Sequence, residues 1–289
     1  MDYRVLGLSV LFGFTDGCIL FLVSIGLSLC FGLMRIISLD QCGYYALGAY
    51  ITYNFSLLTG NFWIALIISS MFIAILGLIV EYIIFKNVYA KPLTFTMIIS
   101  FGTLLLITGI IKYIWGLNPL PVDIPLKGSL FMFGVEISIY RLFVVVITFL
   151  IYSLLYFFLE KTIVGKAIRA SIEDIEEVQA LGINGYQLFT ITFVISCVLS
   201  GLGGALKAPL IMVQPYMGYE VLLYMFITAV LGGLGSLKGT MLAAIIIGVT
   251  MSIGSVVWAP STIVVPFVAF IVVLLIKPTG LFGSKLLKR

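Results

Sequence analysis

An all-α, polytopic transmembrane bundle of about eight to ten spans, with interrupted or re-entrant segments, is the fold class this sequence predicts. Three observations predict it. Apolar residues make up 62% of the 289 positions and the mean hydropathy is +1.25, whereas soluble domains are about half apolar. Apolar runs recur along the chain at lengths near the ~20 residues that carry a helix across hydrocarbon. Only 10% of residues are charged, and they gather between those runs.

Cutting at polar and Pro/Gly breaks places the spans near 7–34, 44–58, 62–85, 94–115, 138–159, 185–206, 219–234, 240–258 and 261–276. The runs 44–58, 219–234 and 261–276 are short enough for re-entrant or half-helices. Met1-Asp2-Tyr3-Arg4 leads into an apolar run too long for a signal-peptide core and without a clear cleavage site, so an uncleaved first span is expected. One transmembrane domain, 1–289, is expected.

Lys and Arg favour short cytoplasmic loops. If the 160–184 loop is inside, eleven of the sixteen Lys and Arg fall inside, and Arg4, Lys112, Lys127, Arg141 and Lys207 fall outside. This predicts an external N-terminus, a cytoplasmic C-terminus and 116–137 as the longest external loop. The net charge of +4 is then a topology signal, with no call for nucleic acid. The four cysteines, Cys18, Cys30, Cys42 and Cys197, lie in or beside apolar runs without CxxC spacing and read as small core residues.

Histidine is absent, which removes the commonest metal ligand and general base. No hydrolase or metalloenzyme constellation remains, and no catalytic, cofactor-binding or metal residue is assigned. The single Gly-Lys pair, Gly165-Lys166, is followed by Ala167, and Glu160 stands where a phosphate-binding loop needs its first glycine, so ATP is not bound here by that route. Asp16, Asp40, Glu81, Lys112 and Glu220 are the ionisable residues nearest membrane depth. All lie toward span ends or in interrupted segments, which disfavours a proton relay.

The long polar interruption is EKTIVGKAIRASIEDIEEVQALGIN, Glu160 to Asn184. Ile168, Ile172, Ile175, Val178 and Leu181 recur at helical spacing beside Glu173, Asp174, Glu176 and Glu177, which predicts a short amphipathic helix ended by Gly182. A solvated connector on the headgroups and a docking element for a cytoplasmic partner both fit that pattern.

Small-xxx-small pairs, Gly13/Gly17, Ser196/Ser200, Ser200/Gly204 and Gly235/Gly239, predict close helix contacts. Two polar or glycine-rich stretches, Ser38 to Gly48 and Leu231 to Gly239, interrupt apolar runs. Non-helical backbone at membrane depth is tolerated only in protein or against a cavity, so both are candidate walls of a solute path: Ser38, Asp40, Gln41, Tyr44 and Tyr45 in the first, Gly232, Gly233, Gly235 and Ser236 in the second.

Together these stretches resemble the permease subunits of branched-chain amino acid ABC importers. The residues that carry the resemblance are Ile37 to Tyr50 (ISLDQCGYYALGAY), Gly165 to Ala170 (GKAIRA) with Asp174 and Ala180 to Ile183 (ALGI), Ala229 to Gly239 (AVLGGLGSLKG) and Lys277 to Gly283 (KPTGLFG). The resemblance implies inward movement of branched-chain or other hydrophobic amino acids by alternating access. It also implies a second related permease, two cytoplasmic ATPase subunits and an extracytoplasmic solute-binding protein in a cell (plasma) membrane. It assigns ATPase docking to the 160–184 loop, with Gly165, Arg169, Glu173, Asp174, Ile175, Leu181 and Gly182. The family commonly has His-Gly where this chain has Gln41-Cys42, and a small residue at Asp40. That departure keeps urea, amides and other small solutes open as substrates, and a stand-alone secondary carrier stays open as an alternative.

Overall fold

The computed structural model describes residues 3–89, 91–132, 135–173, 175–180, 182–258, 260–277 and 280–282. Among them the helices are α1 (Tyr3–Met34), α2 (Gln41–Thr59), α3 (Phe62–Ile83), α4 (Leu93–Trp115), α5 (Ile139–Lys161), α6 (Ile163–Glu173), α7 (Ile175–Ala180), α8 (Gly185–Lys207), α9 (Met217–Gly232), α10 (Leu237–Val257) and α11 (Ser261–Ile276). Nine of these follow the nine predicted runs, α6 and α7 form the polar loop, and six are long and apolar enough to cross a membrane. At ~1.5 Å per residue, the 16-residue helices α9 and α11 reach only about 24 Å, short of a ~30 Å hydrocarbon core.

The bundle is apolar outside as well as inside. Ile67, Met71 and Ile75 on α3, and Val146, Leu150 and Leu154 on α5, are exposed, which suits lipid. Within, α2 is the central helix: Gln41 to Thr52 is buried without interruption. It meets α8 where Gly48 lies against the Gly201 backbone and Gly204 against the Tyr45 carbonyl. Likewise α1 crosses α10 with Gly13 against Gly248 and Val249, and Gly17 against Ala244 and Ile245. Where a helix offers no Cβ, the partner backbone fills the space, and dispersion contacts replace the hydrophobic drive that lipid does not supply.

Side-chain pairs fix the two ends of the bundle. At one end Arg141 stands over Phe12, Lys112 over Tyr216, and Tyr140 Oη donates to the Leu206 carbonyl at 2.8 Å. At the other, Tyr156 faces Lys238, and the Gly235 N–H donates to Ser28 Oγ at 2.9 Å. Lys166, Arg169, Lys238 and Lys277 gather around the turn at this second, basic end, while Lys112, Arg141 and Lys207 lie at the first.

The 116–137 loop holds an antiparallel hairpin, β1 (Ser129–Met132) with β2 (Val135–Ser138), registered Ser129 to Ser138 and Leu130 to Ile137. A short bridge between Leu120 and Val213 ties the loop to the segment after α8. The hairpin was not among the sequence expectations. The available signal was a glycine between two short runs, of which only Val135-Glu136-Ile137-Ser138 alternates apolar and polar residues.

Candidate translocation site

The interruption expected over Ser38 to Gly48 is narrower in the structure. Arg35 closes α1 in the left-handed region, with φ of +52°, and the chain re-enters helix at Gln41, so Gln41 to Gly48 is helical. The physical reason is that Asp40 supplies the helix start through its carbonyl, which accepts from the Gly43 N–H at 2.8 Å and the Tyr44 N–H at 3.1 Å. Gly43 meets only flexible side chains of Ile107 and Leu104.

Ser38, Asp40, Gln41 and Tyr44 are each fully buried and come together. Ser38 Oγ donates to Asp40 Oδ1 at 2.5 Å, Gln41 Nε2 donates to Ser38 Oγ at 3.1 Å, and Ser200 Oγ donates to Gln41 Oε1 at 2.8 Å. Through these bonds Gln41 links the segment after α1 to α2 and α8. Gly26 on α1 leaves room for it, since a Cβ there would stand 2.8 Å from Ser200 Oγ and 3.0 Å from Gln41 Oε1. Cys30 and Cys197 lie beside the Gln41 amide. Asp40 Oδ2 is buried without a hydrogen-bond partner among the described residues. Replacing Gln41 with leucine would strand Ser200 Oγ in the core, and a buried polar group left unpaired costs about 1–3 kcal/mol. Gln41→Leu is therefore expected to lower the midpoint of thermal unfolding in detergent while Gln41→Asn loses less, and equal midpoints for the two variants would refute the role of this link.

Tyr45 points to a different place, a cavity of about 460 Å³ that it shares with Asp16, Arg141, Lys207 and Glu220. The glycine-rich stretch is elsewhere again, at the basic end. Gly232 ends α9, Gly233 (φ +97°) and Gly235 (φ +86°) make the turn, and Ser236 caps α10 by accepting the Gly239 N–H at 3.2 Å. Gly232 and Gly239 pack backbone to backbone. The carbonyls of Leu231 and Gly232, freed where α9 ends, accept from the N–H groups of Leu281 at 2.8 Å and Phe282 at 3.1 Å. Two stretches that carry the family resemblance, the glycine turn and the tail, are therefore direct partners.

The amphipathic loop meets the same turn. Glu160, Ile168 and Arg169 line a cavity of about 280 Å³ with Gly235, Ser236 and Lys238. Arg169 pairs with Glu160. Thr162 Oγ1 accepts the Gly165 N–H at 3.0 Å, and Gly165 lies against the Phe158 carbonyl, so α6 folds back directly beneath α5. The apolar edge is consequently turned inward: Ala167, Ile168 and Val178 are buried in the chain's own core. Lys166, Arg169, Ala170 and Gly182 remain exposed. At its described positions the apolar edge packs on the chain's own core, with Ile168 and Val178 buried. Asp174 and Leu181 lie outside the described residues, as do the side chains of Glu173, Ile175 and Glu176.

A lipid-facing bundle that holds buried polar groups and a charged cavity inside is that of a polytopic transport protein. The chain belongs to the family of branched-chain amino acid transport system permease components, whose model matches residues 9–276. It is 26% identical to the high-affinity branched-chain amino acid transport system permease protein LivH of Salmonella typhimurium over 94% of this chain and 93% of that one. It is 27% identical to the permease protein BraD of Pseudomonas aeruginosa over 94% of each chain. Among solved structures it is similar to PsaBC from Streptococcus pneumoniae in complex with Fab, with a TM-score of 0.50, 17% identity and coverage of 96% of this chain and 91% of that one. At that identity the likeness is one of fold alone.

Proposed function

We infer that this chain is the membrane permease subunit of an ABC importer and moves branched-chain or other hydrophobic amino acids inward by alternating access. The family match over residues 9–276 carries the reading. Two cytoplasmic ATPase subunits hydrolyse the ATP, a second related permease completes the membrane pair, and an extracytoplasmic binding protein delivers the solute. The basic end, with α6, the glycine turn and the C-terminus, faces the cytoplasm, because Lys and Arg gather on that side of cell membranes. The N-terminus and the 116–137 hairpin loop face outward.

In this reading the Ser38–Asp40–Gln41–Ser200 bonds hold α1, α2 and α8 together in one state, and ATPase closure moves α6 against the turn at Gly233 to Ser236. Differential contacts of that kind are what a two-state cycle requires. Reconstituted with the four partners, the protein is expected to drive saturable, ATP-dependent leucine uptake into proteoliposomes, with isoleucine and valine as competitors. Uptake of urea or acetamide in place of leucine would reassign the substrate, and leucine uptake without the ATPases would make the chain a secondary carrier.

A further inference from the structure

Between α1, α5, α8, α9 and α10, at the end opposite the basic one, lies the cavity of about 460 Å³, within the roughly 300–1,000 Å³ of small-molecule sites. Its apolar wall includes Ile19, Leu20, Met217, Val221 and Met251. Its polar wall carries four charges that cancel: Asp16, Glu220, Arg141 and Lys207.

These charges are not equivalent. Lys207 Nζ donates to Asp16 Oδ1 at 2.6 Å, an ion pair that neutralises both. Arg141 and Glu220 form no ion pair with any described residue. The Arg141 guanidinium stands 4.0 Å from the Phe12 ring centroid, and its Nη1 is buried without a hydrogen-bond partner among the described residues. Among the described residues Glu220 Oε1 accepts from the neutral Gln214 amide, at 2.6 Å. A guanidinium without an ion pair is costly inside a membrane bundle.

We propose that this cavity binds a free zwitterionic amino acid with an apolar side chain, Arg141 receiving the α-carboxylate and Glu220 the α-ammonium, with the side chain against Ile19, Leu20 and Val221. The assignment rests on the importer reading and adds to it the residues that recognise the solute. Arg141 suits the role because its planar fork matches a carboxylate. Ile19, Leu20 and Val221 favour an apolar side chain there. Of the five residues of the first path segment, only Tyr45 lines this site. A zwitterionic lipid headgroup shares the ammonium–anion chemistry, but its anion is a phosphate diester, which the phosphoethanolamine arm of the test separates from a carboxylate.

Binding of labelled leucine to the purified full chain in detergent, without the binding protein, tests this. The wild type should bind saturably. 4-Methylpentanoate, which lacks the ammonium, and isoamylamine, which lacks the carboxylate, should displace leucine about tenfold or more less well than leucine itself. Arg141→Gln and Glu220→Gln should each weaken binding by about tenfold or more, and Arg141→Lys should retain more than Arg141→Gln. The analogue series on wild type keeps the test sharp if Arg141→Gln fails to fold. Absence of leucine binding, equal competition by either analogue, unchanged affinity in both variants, or stronger displacement by phosphoethanolamine than by leucine would each overturn the proposal. Leucine uptake by the assembled importer without binding by this chain would overturn the site and leave the importer reading intact. Binding without uptake would do the reverse.

Discussion

Gly204→Val is expected to leave little or no folded permease in the membrane fraction, whereas Gly109→Ala is expected to accumulate normally with an unfolding midpoint equal to or above that of the wild type. A Cβ at Gly204 on α8 would run into the Tyr45 carbonyl of α2, and no rotamer change can move a helix backbone. A Cβ at Gly109 on α4 would meet nothing within 4 Å, so there only the better helix propensity of alanine, up to about 1 kcal/mol, is felt. Overpacking in an adaptable core costs about 1–3 kcal/mol. Here the obstacle is main chain at the central crossing of the bundle, where a Cβ at Gly48 would likewise run into the Gly201 backbone, so separating α2 from α8 is the only relief. Fluorescence-detected gel filtration and a thermal aggregation series on the two variants decide it. Gly204→Val behaving as Gly109→Ala does would remove close α2/α8 contact from the account of this fold.

That crossing was partly legible. Ser196, Ser200 and Gly204 share one face of α8 by spacing alone, and the same rule found Gly13 and Gly17 on α1. The partners were not legible, because nothing in a spacing of four says that Gly204 meets Tyr45 or that Gly17 meets Ala244. The spans themselves were read closely, since twenty apolar residues are a strong local signal. The hairpin was missed, its signal being only four residues a side.

Site residues divide on the same principle. Ser38, Asp40, Gln41 and Tyr44 could be singled out as polar residues in an apolar setting, and they do meet. Their link to Ser200, 159 positions away, depends on tertiary packing. The charged cavity is a harder case. Asp16 and Glu220 stood out as ionisable residues near span ends, but Arg141 and Lys207 were counted only as loop charges. The Lys207–Asp16 pair spans 191 positions, and no local pattern joins them. The glycine-rich stretch was legible as a break, but its tie to Leu281 and Phe282 through the freed carbonyls of α9 was not.

The loop between α5 and α8 yields the other large effect. Reversing both exposed cations, Lys166→Glu with Arg169→Glu, is expected to reduce leucine-coupled transport by roughly tenfold or more while leaving the protein inserted and monodisperse. Both side chains lie on the outer face of α6, whose inner face is anchored by Ile168, only 1% exposed. The substitution therefore changes what an approaching ATPase subunit meets, and of the contacts that seat α6 on α5 it removes the Arg169–Glu160 pair while keeping the apolar ones. Arg169 also pairs with Glu160, but an exposed pair contributes only about 0–1 kcal/mol, too little to unfold the bundle when it is lost. Insertion and stability should stay near wild type as a result. By contrast, Ile168→Asp would place a carboxylate beneath α6 at the cavity shared with Gly235 and Ser236, and should lower stability and transport together. The informative measurement is ATP hydrolysis by the assembled complex alongside uptake. If α6 transmits closure, the double reversal leaves hydrolysis on the partner subunits present but no longer stimulated by delivered solute. Full stimulation and full uptake in the double variant would show that the outer face of α6 is not where this permease is driven.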